Sequence, residues 1–287
     1  MKYTLPPPLF ASPPPPSGHA ACSGCGLCQL VCPVWRGPGQ LARDVEMTPH
    51  GRAKALQNGA TAAEIATSIE SCTFCGACEA VCPEQMPIVE LTLALRRELN
   101  IGLQPKATAA ADIAVSLAPT FHLVTDSGPA IDASVDQIEA YLRPLRSAGM
   151  LVVSNGLLLR HLQRWIPGKP VINLGKLLGQ QPAVRSALGP KDLYIIDAQA
   201  YNLDYEANVL HYDTLRHETG CQTNLDLQRI AMPADDAAQA QWILRGLQPA
   251  RIVIENETHR AIFAALGNWP VIHVAELATG IIHGVKH

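Results

Sequence analysis

Cys22-Ser23-Gly24-Cys25-Gly26-Leu27-Cys28, closed by Cys32-Pro33, returns fifty residues later as Cys72-Thr73-Phe74-Cys75-Gly76-Ala77-Cys78, closed by Cys82-Pro83. Each copy reads C-x2-C-x2-C-x3-C-P, and the two copies hold eight of the nine cysteines. Thiolate is a soft, charged donor suited to iron. Three closely spaced thiolates, with a fourth before proline, form the ligand run that holds [4Fe–4S] cubanes. Zinc sites separate C-x2-C pairs by a longer loop, whereas here four cysteines fall within eleven residues. A purely structural cluster, as in some nucleic-acid enzymes, calls for a basic patch, and the sequence has none.

C-x2-C-x2-C wraps three donors around one face of a cube, and the chain turns the fourth cysteine away. In two-cluster ferredoxins that cysteine ligates the other cluster. The expected ligand sets are therefore Cys22, Cys25, Cys28 and Cys82 for cluster one, and Cys72, Cys75, Cys78 and Cys32 for cluster two. This crossing ties the two runs together, so loss of one cluster should weaken the other. Gly24, Gly26 and Gly76 fit tight loops whose N–H groups lie near sulfide and tune potential.

The 39 residues between Cys32 and Cys72 exceed the loop of a minimal two-cluster ferredoxin. Thr61-Ala62-Ala63-Glu64 reads as a capping box that opens a helix with Ile65 and Ile69 on one face. Pro87 opens a second helix, with Ile88, Leu91, Leu95 and Leu99 as its buried stripe. Residues 19–105 thus read as an alpha-helical ferredoxin domain. The Ala-rich stretch 106–119 reads as a linker or lone helix, with Pro105 and Pro119 as punctuation.

From residue 120 onward strand and helix alternate, which argues for an α/β domain over 120–287 with mostly parallel pairing. The expected strands are Phe121–Thr125, Leu151–Ser154, Val171–Leu174, Leu193–Ile196, Arg251–Glu255 and Val271–Val274. A weaker repeat runs through them. Leu151-Val152-Val153-Ser154-Asn155 aligns with Ile252-Val253-Ile254-Glu255-Asn256, and Pro170–Leu174 aligns with Pro270–Val274. Upstream, Asp126, Ile138 and Tyr141 match Asp197, Val209 and Tyr212 at an offset of 71. The second copy therefore carries extra chain, roughly Asp213 to Gln241. The fold class is read as α + α/β: an alpha-helical ferredoxin domain with two [4Fe–4S] clusters, then an α/β domain of two degenerate repeats.

Residues 1–18 carry seven prolines and read as an extended arm, either a free tail or a segment lying on another protein of an assembly. Those prolines and a single Lys2 do not make a secretory signal. No run approaches the length of a transmembrane helix. The net charge of −3 gives no field to attract nucleic acid or an anionic membrane. The apolar fraction of 48% supports real cores, while 16% charged residues suits a surface used against partner proteins. Clustered cysteines of odd number point to metal in a reducing cytoplasm, not to a secreted disulfide framework. Cys221 stands alone and reads as an inert buried or free thiol. His122, His161, His211, His217, His259, His273 and His283 show no metal spacing, and His273 reads as a core histidine. No G-x-G-x-x-G, P-loop or G-x-S-x-G element is present, so no flavin or nicotinamide fingerprint accompanies the clusters. No catalytic residue is assigned.

The paired runs Cys22–Pro33 and Cys72–Pro83 and the helix after Pro87 resemble the iron–sulfur subunits of glycolate oxidase, anaerobic glycerol-3-phosphate dehydrogenase and lactate-utilisation complexes. They also resemble the dicluster iron–sulfur subunit of heterodisulfide reductase. The resemblance covers about residues 20–105. The first three families continue into two cysteine-rich repeats with Cys-Cys-Gly and C-x2-C motifs. Here Val271-Ile272-His273-Val274-Ala275-Glu276-Leu277 looks like the ending of such a repeat, while Asn155-Gly156 and Asn256-Glu257 stand where cysteines would. The second domain thus resembles a cysteine-stripped form of that duplicated domain, a scaffold for docking a partner. The resemblance implies an electron-transfer subunit, peripheral to the inner membrane at most through its partners. It would pass single electrons from a flavoprotein oxidising a 2-hydroxy acid such as glycolate or lactate to a quinone, cytochrome or ferredoxin-like acceptor. One alternative is a heterodisulfide-reductase-like relay in a sulfur or bifurcating complex. Another is a non-catalytic scaffold or regulator whose clusters are structural or sense oxygen.

Overall fold

The computed structural model describes residues 18–37, 43–101, 122–124, 134–154 and 156–279. The Pro-rich arm (Gly18 apart) and the linker expected over 106–119 lie outside the described residues. Those described fall into two compact units: 18–101 with 134–144, and 122–124 with 145–279.

The first unit is built from short helices: α1 Leu27–Val31, α2 Pro33–Arg36, α3 Pro49–Gln57, α4 Ala66–Glu70, α5 Ala77–Ala80 and α6 Ile88–Glu98. Each start has a local cause. Gly26 and Gly76 take left-handed conformations (φ 77° and 75°) that turn the chain into α1 and α5. Pro33 sits in the first turn of α2, where a missing N–H costs nothing. Thr48 accepts a hydrogen bond from Gly51 N (3.1 Å), with Pro49 beside it, to open α3. The expected capping box forms: Thr61 N donates to Glu64 Oε2 (2.8 Å), and Glu64 N donates to Thr61 Oγ1 (3.4 Å). The backbone bond from Thr61 draws the exposed Glu64 carboxyl below its ordinary value. The box opens a 3-10 turn, Ala63–Ile65, before α4.

The expected stripe on α6 holds only in part. Ile88 and Leu91 are buried, while Leu95 and Leu99 are half-buried. Arg96 takes the inner face instead. Its Nε donates to Ile69 O (3.3 Å), and its Nη2 donates to Glu70 O (2.8 Å) and Cys72 O (3.1 Å). A cation satisfying the carbonyls at the end of α4 displaces the apolar pattern there. The helix Val135–Leu145 buries Ile138, Leu142 and Leu145 and exposes Val135.

The second unit holds two parallel sheets. Strands β1 (His122–Val124), β2 (Leu151–Val153) and β3 (Val171–Asn173) lie in the order β1-β2-β3. Strands β4 (Asp192–Ile195), β5 (Gln222–Thr223), β6 (Arg251–Ile254) and β7 (Val271–His273) lie in the order β5-β4-β6-β7. All six expected strands form where described, each a residue or so from its expected ends. Strand β5, inside the extra segment, is an addition to them. The central strands are continuous apolar runs, and Leu151, Val152, Val153, Leu193, Tyr194, Ile195, Ile252, Val253 and Ile254 are all fully buried.

The two sheets share order and register. His122 pairs with Leu151, which pairs with Val171. Leu193 pairs with Ile252, which pairs with Val271. Leu151 N donates to Pro170 O at 2.9 Å, and Ile252 N donates to Pro270 O at 2.9 Å. Where the halves meet, Gly156 lies against the backbone of Gln199 and Ala200, and Gly175 lies against the Glu255 carboxyl.

At the carboxyl ends of β4 and β6 sits a buried polar knot. Tyr194 Oη (2.9 Å) and Tyr212 Oη (2.7 Å) donate to Glu255 Oε1, and Asp197 N donates to Oε2 (2.8 Å). Burial outweighs these donors and pushes the Glu255 carboxyl up to about 7. His273, the expected core histidine, bonds the Glu255 carbonyl through Nε2 (2.9 Å) and is buried.

Candidate iron–sulfur site

The two cysteine runs fold as near-copies. Gln29 N donates to Gly26 O and Glu79 N to Gly76 O, both at 3.0 Å. Cys32 N donates to Gln29 O at 3.2 Å and Cys82 N to Glu79 O at 3.1 Å. Gly24 has φ 80°, and its counterpart Phe74 has φ 56°. A non-glycine residue held there stores strain of about 1 kcal/mol. Phe74 is held by burial and by the Arg96 guanidinium, 4.5 Å above its ring.

All eight run cysteines are unbridged. Cys32, Cys72, Cys75 and Cys78 line one cavity, shared with Arg52, Phe74 and Ile88. Cys32 comes from the first run and the other three from the second. Burial pushes the Cys75 thiol up to about 12 and raises those of Cys32 and Cys78, with further contributions among these thiols and Cys72. Burial likewise pushes Cys28 up to about 12, aided by the charges of Cys22, Cys25, Cys82 and, last, Cys32. Cys22, Cys28 and Cys82 pack together on the apolar cluster of Cys78, Met86, Ile88 and Leu91. Cys32 of the first run thus lines a cavity with three thiols of the second, while Cys28 feels the charges of Cys22, Cys25 and Cys82. Cys25 is exposed, and Leu27 and Leu30 beside it are exposed too. Cys221 is buried in the second unit, and its N–H donates to Thr219 Oγ1 (3.2 Å).

Among the described residues no three His, Cys, Asp or Glu side chains form a group that could hold a single metal ion. The donor set suits a cubane: soft thiols, four of them around one cavity, in a loop pair rich in backbone N–H. Thiols held this high must release protons as they ligate, which couples loading to pH.

The helix α3 between the runs sets polar side chains against the cysteine loops that the sequence pattern does not single out. His50 Nδ1 would lie 3.2 Å from a Cβ at Gly26, and Lys54 Nζ 2.8 Å from one at Gly24. Gln57 Nε2 donates to the carbonyls of His19 and Cys22, both at 2.9 Å. Arg52 lines the cavity of Cys32, Cys72, Cys75 and Cys78. His19 is held down at about 4 by burial and then by the Arg52 charge. Thr48-Pro49, an N-cap followed by an N1 proline, is the local signal for this helix.

The family described as "4Fe-4S dicluster domain" matches residues 18–86. That span carries both cysteine runs and identifies an iron–sulfur domain of ferredoxin type. No curated protein and no solved structure matches the chain. Among the described residues no helix is long and apolar enough to cross a membrane.

Proposed function

We propose that this protein is an electron-transfer subunit with two [4Fe–4S] clusters. Cluster one would be held by Cys22, Cys25, Cys28 and Cys82, and cluster two by Cys72, Cys75, Cys78 and Cys32. The observation that carries this reading is the cavity that joins Cys32 of the first run to three thiols of the second. The clusters supply one-electron carriage; the chain supplies their spacing, burial and surrounding charge. Exposed Cys25 on the first loop supports an electron port there, with Leu27 and Leu30 as the flanking apolar surface.

The electron donor in this proposal is a flavin-dependent 2-hydroxy-acid dehydrogenase of glycolate or lactate type, following the likeness of the cysteine runs. The matched strand order and register of the two sheets support a duplicated α/β scaffold over 120–287, beside a dicluster domain over 19–105. That scaffold serves as a docking body in a cytoplasmic complex. Anaerobically purified protein should contain about eight irons per chain, for two cubanes. Four or fewer in fully loaded protein would sink the two-cluster reading. Purification of the native complex should bring down a flavin-containing partner, and a Cys-Cys-Gly partner in its place would favour a heterodisulfide-reductase-like relay.

A further inference from the structure

Arg52 is 1% exposed. Its Nη1 donates to Met47 O (3.4 Å), Ser68 O (3.0 Å) and Ser68 Oγ (3.3 Å). Its Nη2 is buried without a hydrogen-bond partner. Among the described residues no carboxylate forms an ion pair with it. A guanidinium cannot shed its proton, so burying it with an unused donor and no anion is costly. Yet Arg52 forms part of the wall of the cavity lined by Cys32, Cys72, Cys75 and Cys78. The missing anion has an evident place. Four thiolates around a cubane make a net anionic centre, and each electron accepted adds negative charge.

From this unpaired cation in the cavity wall we infer that Arg52 is the counter-charge of the second cluster and sets its potential relative to the first. It is a positioning residue for the electron, and this inference rests on the two-cluster reading. Burial of the second site disfavours added charge, because a desolvated centre pays more for each electron. A fixed cation in the wall offsets that cost and stabilises the reduced state. The first loop lies against His50, Lys54 and Gln57 of the same helix. Helix α3 thus presents different groups to the two loops and can set the electron's partition between the clusters. Arg96 plays a different part. Its Nε and Nη2 bond carbonyls, which holds the second loop in shape.

The test is a redox titration of the full chain, followed by electron paramagnetic resonance, on wild type, Arg52→Gln and Arg52→Lys. Iron is measured on each. Wild type with about eight irons secures the underlying reading, and four or fewer overturns that reading first. In loaded Arg52→Gln the electron should shift at least tenfold away from the second cluster, about 59 mV for one electron. The first cluster should move less. Arg52→Lys keeps the charge but loses the fork, so it should restore most of the partition. An unchanged partition in loaded Arg52→Gln overturns the proposal. If Arg52→Gln does not load, Arg52→Lys decides. A loaded protein near the wild-type partition upholds the counter-charge. A shifted or unloaded protein assigns Arg52 to fold support alone.

Discussion

The two units stabilise themselves by different means. In the first, α1, α2, α4 and α5 are four or five residues long, below what holds a helix by itself. One of its apolar clusters, around Met86, Ile88 and Leu91, already includes Cys78 and has Cys22, Cys28 and Cys82 packed on it. The thiols are part of the core. In the second unit, Leu193, Ile195, Ile252, Ile254 and Phe263 form an apolar centre. A chain that cannot bury enough apolar surface must gain stability from ligation, and the free energy of metal binding then becomes folding free energy. The second unit carries its weak points elsewhere, in a buried carboxyl and in close backbone contacts.

The largest expected effect therefore lies in the first unit. Cys32→Ala should cut iron from about eight to about four per chain and lower the stability of that unit. The crossed grouping makes a sharper claim. Cys32→Ala should leave the cluster at exposed Cys25, which a water-soluble chelator strips quickly. Cys82→Ala should leave the cluster in the buried cavity, which a chelator strips slowly. Equal stripping rates in the two variants would break the crossing.

Next comes the buried carboxyl of the second unit. Glu255 is held at about 7, above its ordinary value of 4.5. A raised acid favours the folded state while protonated. Its contribution is fully present below the unfolded-state value and is lost as pH rises toward 7, up to about 3 kcal/mol. His161 acts in the opposite sense. Burial holds it at about 3, so its contribution is lost as pH falls below its unfolded-state range. The difference between wild type and Glu255→Gln isolates the carboxyl. The Gln variant should lack the decline between about pH 4.5 and 7 in urea unfolding, and an identical slope would refute the assignment. Trp165, Trp242 and Trp269 all lie in the second unit and give the fluorescence readout.

Much of this contrast was legible in the chain. The cysteine spacing pointed to both loops and to an iron–sulfur domain, because ligand geometry leaves few arrangements for C-x2-C-x2-C-x3-C-P. The apolar runs gave six strands, because a strand buried on both faces has no polar residue to spare. What escaped was set by long-range polar contacts. Arg96 turned the α6 stripe by reaching carbonyls some 24 to 27 residues away in sequence. Glu255 looks like the polar end of a strand until Tyr194, Tyr212 and Asp197 close on it. Short α3 shows little apolar periodicity because its side chains serve the two cysteine loops.

A smaller effect should follow from crowding the place where the two sheets' segments meet. A Cβ on Gly156 would sit 2.2 Å from Ala200 N and 2.4 Å from Gln199 C. Backbone cannot swing aside as a side-chain tip can. Gly156→Ala should therefore cost the second unit about 2 kcal/mol in urea unfolding, with iron content unchanged. Gly189, whose Cβ would meet nothing within 4 Å, is the control, and Gly189→Ala should stay within about 0.5 kcal/mol. Equal costs for the two substitutions would remove close approach as the reason for glycine at 156.

The smallest expected effect falls on the ninth cysteine. Cys221 is buried, and burial raises its thiol, so it is held as a neutral side chain. It lies just after Gly220, the left-handed cap of the helix Tyr205–Thr219, in a unit whose centre is apolar. Cys221→Ser exchanges a weakly polar group for a hydroxyl of similar shape and should cost about 1 kcal/mol in unfolding. Iron content and the paramagnetic spectrum should match wild type. If the second unit is cofactor-free, this substitution is silent in every iron-dependent measurement. A lost or altered cluster signal would place a ligand in the second unit and collapse the distinction between a unit held by its metal and a unit held by its core.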